Sequence, residues 1–145
     1  MRLQETFPIW HHPGGVRGAR DAVRIQLAWW NLPVDRDLVV LLVSETVTNA
    51  VEHGGPPSSV SLTWDATTLN VSVRDAQPDS LPVVRAAADG DETGRGLAMV
   101  AALAERWGIE VGPTWKSFWF EVGRQPVSTF EAASYLLLGD EVEPV

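Results

Sequence analysis

Three short stretches carry side chains whose types and spacing could do chemistry. The first is Ser44-Glu45-Thr46-Val47-Thr48-Asn49-Ala50-Val51-Glu52-His53-Gly54. Read as a helix, it sets Glu45 and Asn49 side by side, four residues apart, with Glu52 and His53 on the same face. An amide oxygen such as that of Asn49 suits a hard cation like Mg²⁺. A carboxylate one turn away, at Glu45, could orient or deprotonate an incoming hydroxyl. The same four residues also make an ordinary solvated helix face, and this stretch alone does not separate the two readings. The second stretch ends a strand at Arg74-Asp75. There Asp75 is equally suited to start a turn through its side chain or to read a ligand at a pocket rim. The third is Gly94-Arg95-Gly96, leading into Leu97-Ala98-Met99-Val100-Ala101-Ala102-Leu103-Ala104. Glycine before a helix lets backbone N–H groups approach a phosphate, but a lone G-x-G serves as readily as a hinge.

Regular elements must position these residues. Leu3 to Ile9 reads as a short strand with Pro8 suited to an edge. Val16 to Trp30 reads as a helix with Arg17, Arg20 and Arg24 along its flank, either a solvated edge or a strip for a partner protein. Asp35 is placed to cap the next helix, and Gly54-Gly55-Pro56-Pro57 to stop it. On that helix Val39, Val40, Val43, Val47 and Ala50 form a side fit to lie on a sheet, while Leu38, Leu41 and Leu42 fall in line with the polar face.

Ser59 to Trp64 and Leu69 to Val73 alternate around Asp65-Ala66-Thr67-Thr68 and predict a β-hairpin. Its buried side holds Val60, Leu62, Trp64, Leu69, Val71 and Val73. Two more antiparallel strands are expected at Trp107–Val111 and Trp115–Val122, joined at Gly112-Pro113. A last helix, Ser128–Leu138, follows. The order β-α-α-β-β-loop-α-β-β-α predicts an α+β two-layer sandwich: a mixed, mainly antiparallel sheet with helices on one face. One domain is expected over residues 1–125, with a C-terminal helix and tail over 126–145.

Composition narrows the function classes. A chain of 145 residues with 45% hydrophobic residues is long enough for one well-buried core. It has no cysteine, hence no disulfide framework and no thiolate metal site. The absence fits a reducing cytoplasm, where the protein is expected. No apolar run approaches the roughly 20 residues of a membrane span. With a net charge of −8 and pI near 4.7, direct nucleic-acid binding is disfavoured, since that affinity comes largely from Lys and Arg. An acidic protein still binds a nucleotide when a metal ion and backbone N–H groups hold the phosphates. The neighbours His11 and His12 make a poor metal site, because adjacent residues rarely converge on one ion and only His53 remains as a third.

Taken in order, the three stretches resemble the Bergerat, histidine-kinase-like ATP-binding fold, and among its members the stand-alone anti-sigma regulatory serine/threonine kinases of bacteria. The resemblance spans roughly residues 3 to 123. It implies Glu45 as catalytic base, Asn49 as the magnesium ligand and Asp75 as the carboxylate that reads the adenine amino group. It also implies Gly94, Arg95, Gly96 and Leu97 as the phosphate-receiving glycine box and Ser117 as a small hydroxyl near the adenine. ATP and Mg²⁺ are the cofactors so implied. The implied function is to sequester a sigma factor and to phosphorylate Ser or Thr on a small, anti-anti-sigma-like antagonist, with homodimerisation common among similar proteins. A nucleotide-sensing binding module without phosphotransfer would keep the same residues. One departure stands out: Gln77 occupies the position two after Asp75 where the superfamily usually has glycine, and Gln77 with Pro78 could narrow the pocket or weaken ATP affinity. Residues 80–93 would form a lid over the nucleotide.

Overall fold

The computed structural model describes residues 2–82 and 92–126. Its elements are β1 (Leu3–Ile9), α1 (Gly15–Trp30), α2 (Arg36–His53), β2 (Ser58–Trp64), β3 (Thr68–Asp75), α3 (Glu92–Leu103), β4 (Arg106–Val111) and β5 (Lys116–Gly123). The expected lid falls mostly on residues 83–91, and the expected C-terminal helix and tail on 127–145, outside the described residues.

Five strands form one sheet in the order β1-β2-β3-β5-β4, and every neighbouring pair is antiparallel. β1 is an edge, which is why Pro8, lacking an N–H, is tolerated there. The β2–β3 turn is held by Asp65, whose carboxylate accepts from the N–H groups of Thr67 and Thr68 at 2.9 and 2.8 Å. These bonds, that of the Thr67 N–H above all, hold its carboxyl below the usual aspartate range.

Period-two alternation decides which face is buried. Val60, Leu62, Trp64, Leu69, Val71, Val73, Phe118, Phe120 and Val122 point to the helical layer and are buried. The opposite face is polar, with Thr6 and Ser61 hydroxyls 2.9 Å apart and Asn70, Glu121 and Arg106 in mutual reach. α2 lies over β3, flanked by α1 and by α3. That double flank explains one departure from the sequence reading: Leu42, in line with the polar face, is fully buried. The Asp35 carboxylate accepts from the Leu38 N–H at 3.0 Å, the expected cap. α1 ends at Asn31, whose φ of 51° is left-handed, and the N–H groups of Asn31 and Leu32 close back on Ala28 and Leu27.

Candidate functional site

The candidate site lies where the C-terminal half of α2 passes over the ends of β3 and β5. Asp75 is the last residue of β3, and the ladder pairs it with Lys116, the first residue of β5. Both face the helical layer, and both are almost fully buried, at 3% and 4% exposure. A glycine makes the close approach of helix and carboxylate possible. A Cβ on Gly54, the residue that ends α2, would stand 2.5 Å from the Ala50 carbonyl oxygen and 2.7 Å from Asp75 Oδ2. The Gly55 carbonyl accepts from the Ala76 N–H at 2.7 Å and ties the turn after α2 to the end of β3.

One carboxylate oxygen of Asp75 is already engaged from within the chain. Its Oδ1 accepts from Lys116 Nζ at 2.9 Å and from the Gln77 N–H at 2.8 Å. The Lys116 ammonium donates a second bond to the Gln77 carbonyl at 2.8 Å. Gln77 itself is exposed and does not line the cavity beside Asp75; its backbone N–H and carbonyl brace the Asp75–Lys116 pair. The cavity left beside this pair is about 10 Å³ and is lined by Thr46, Asn49, Ala50, Val73, Asp75, Pro82, Ile109, Lys116 and Phe118. That is room for about one water.

Asn49 shares this cavity with Asp75 and is half-buried. Glu45 stands one turn earlier on α2, also half-buried, and α3 rests against it: a Cβ on Gly96 would lie 2.1 Å from Glu45 Oε2. Leu97, the next residue, is buried in the core. The glycine pair differs from its expected place. α3 begins at Glu92, so Gly94, Arg95 and Gly96 lie inside its opening turns and not before it. The first four N–H groups of a helix have no intrahelical acceptor, so Gly94 and Arg95 still contribute to its open end. The absent side chain of Gly96 is used for close packing on Glu45.

Ser117 requires a correction. It does not join the others, because alternation along β5 sends Lys116, Phe118, Phe120 and Val122 inward and Ser117 outward. The Ser117 hydroxyl meets that of Ser72 on the outer face, near Trp115, which stacks under the Arg74 guanidinium at 3.8 Å. Lys116, one residue earlier, lines the candidate cavity instead, and the sequence reading missed it. The signal was present in the parity of Lys116, Phe118, Phe120 and Val122. Of the two neighbouring histidines, His11 Nε2 meets Ser58 Oγ at 2.6 Å and His12 Nδ1 accepts from the Gly14 N–H at 3.0 Å. Among the described residues no three His, Cys, Asp or Glu converge on a metal position. A cation here would rest on the Asn49 amide oxygen with water and phosphate oxygens, a donor set that Mg²⁺ accepts. No helix among the described residues is long and apolar enough to cross a membrane.

Residues 9–117 match the family model described as the histidine kinase-like ATPase domain. The chain is 38% identical over 72 residues to an uncharacterized protein of Streptomyces coelicolor, a match covering 47% of this chain and 69% of that one. Its fold is similar to the crystal structure of the RsbU and RsbW domains of a Mycobacterium tuberculosis protein, with a TM-score of 0.58 and 22% identity. That likeness covers 87% of this chain and 35% of the other, so the chain spans about a third of its length.

Proposed function

The chain belongs to the histidine kinase-like ATPase domain family, and we propose that it is an ATP-dependent regulator that sequesters a sigma factor and phosphorylates Ser or Thr on a small antagonist protein. The observation that carries the reading is the convergence on one corner of the fold of Asn49 and Asp75, which share a cavity, with Glu45 one turn along α2. The anti-sigma assignment rests on the likeness of the three stretches to that family.

Each residue has a part that its chemistry allows. Bound Mg·ATP supplies the phosphoryl group. Asp75, as an acceptor, takes the adenine amino group and disfavours guanine, whose equivalent position is a carbonyl oxygen. Asn49 gives its amide oxygen to the cation, and the opening turn of α3 faces the phosphates with N–H groups. Glu45 takes the proton from the attacking hydroxyl.

The test is labelled ATP with the purified protein and candidate small antagonists. Glu45→Gln should keep ATP binding and folding while cutting label transfer by about 10² or more, the usual scale for losing a general base. A wild-type protein that binds ATP and labels no antagonist would instead fit a nucleotide-sensing binding module.

A further inference from the structure

The contact on Asp75 has a chemical identity that bears on how the pocket is entered. A carboxylate suited to an adenine amino group is here bonded to a different amine, the ammonium of Lys116, at 2.9 Å. The pair is deeply buried, each side chain about 5% exposed. It is also anchored twice, since the same ammonium donates to the Gln77 carbonyl and the Gln77 N–H donates to the same carboxylate oxygen. The remaining cavity holds about one water, too little for a purine ring. A base cannot reach Asp75 Oδ1 while the ammonium stays.

We propose that Lys116 is an internal occupant of the base pocket and the residue that sets its affinity. Its ammonium holds the place of the base amino group, and a nucleotide binds only by displacing it. The proposal rests on the nucleotide reading of this corner and adds to it a competing ligand supplied by the chain. Two features make displacement feasible. Lys116 is the first residue of β5, so its four-carbon stem starts at the end of the sheet, opposite the exposed Val111 of β4. Asp75 also exchanges one N–H donor for another as the base enters, and the Gln77 N–H stays in place to keep the buried carboxylate from being orphaned. The cost that remains is the separation of a buried charge pair. A pocket that is open in one molecule in ten binds with an apparent Kd about tenfold above its intrinsic one.

Two variants and one wild-type measurement test this. Lys116→Met keeps most of the stem and removes the charge; Lys116→Ala also removes the volume. By calorimetry, at least one of them should bind Mg·ATP about tenfold or more tightly than wild type. Because either variant leaves Asp75 without its cation and risks misfolding, the second measurement uses the wild-type protein. Lys116 is acylated with an amine-reactive ester, read by peptide mass spectrometry, with and without saturating Mg·ATP. Displacement should raise its labelling severalfold. If the variants fold and bind no more tightly than wild type, the proposal is wrong. If they do not fold, Lys116 labelling that is unchanged or slowed by bound nucleotide overturns it. A wild type and two folded variants that all fail to bind Mg·ATP at millimolar concentration would sink the nucleotide reading itself, and the proposal with it.

Discussion

Gly54→Ala examines the geometry that brings helix and carboxylate together. The backbone there is unremarkable in φ, at −92°, so alanine meets no torsional penalty. On that ground alone the substitution should stabilise the protein by about 0.4–1 kcal/mol, because it narrows the unfolded ensemble. The structure reverses the sign. The new methyl would stand 2.5 Å from the Ala50 carbonyl oxygen, which already accepts the Gly54 N–H at 2.9 Å, and 2.7 Å from Asp75 Cγ and Oδ2. Favourable carbon contacts begin near 3.5 Å, so something must move by roughly 1 Å. The carbonyl belongs to the last turn of α2, and the carboxylate is pinned by Lys116 and Gln77, so neither yields cheaply. Overpacking of this kind costs about 1–3 kcal/mol. At roughly 3 °C per kcal/mol for a chain of this size, the melting temperature should fall by about 3–9 °C. Thermal denaturation followed by circular dichroism measures it, with Gly18→Ala as the control. Gly18 sits in α1 with nothing within 4 Å of a built Cβ, so alanine there should raise the midpoint. A Gly54→Ala protein that melts at or above the wild-type temperature would refute the packing of Asp75 beneath the end of α2.

Two other perturbations address ligands and partners. Asn49→Ala should weaken Mg·ATP binding by at least about tenfold, the scale for disturbing a metal's ligand set, while leaving metal-free ATP binding nearly unchanged. Calorimetry with and without a chelator checks it, and equal losses in both would remove Asn49 from the cation. The exposed flank of α1 carries Arg17 and Arg24 with Arg20 half-buried beside them, and the same helix leaves Ile25 and Trp29 exposed, Trp29 at 83%. Reversing Arg20 and Arg24 to Glu together should weaken partner or self-association in pulldown and sedimentation while ATP affinity stays within about threefold, since surface charges far from a site act weakly through screening. Untouched association with collapsed nucleotide binding would assign those arginines to the pocket or fold.

Much of this protein is determined by local pattern. Strict alternation in Ser59–Trp64 and Leu69–Val73 gave both hairpin strands and their buried face, because a residue's side of a strand follows from its parity alone. The i, i+4 spacing set Glu45 and Asn49 side by side, and Asp35 marked the start of α2 through the side-chain bond it makes there. The same parity rule, applied to Trp115–Val122, places Lys116 inward and Ser117 outward. Family likeness pointed to the hydroxyl, and the strand geometry overruled it.

What only the tertiary structure decided are contacts between residues far apart in the chain. Nothing near Lys116 says that its inward face meets Asp75, because that meeting depends on β5 inserting between β3 and β4 in the sheet and on the register of the β3–β5 ladder. Leu42 is buried because α1 and α3 both flank α2, and no periodicity within α2 reports its neighbours. Gly96 reads in sequence as a phosphate-approach glycine, yet in the fold its missing side chain admits the Glu45 carboxylate. A sequence fixes each residue's local geometry through its own backbone sterics and hydrogen bonds. Which charge lies buried against which is set by how the layers pack, since a buried ammonium and a buried carboxylate are tolerated only when folding brings them together.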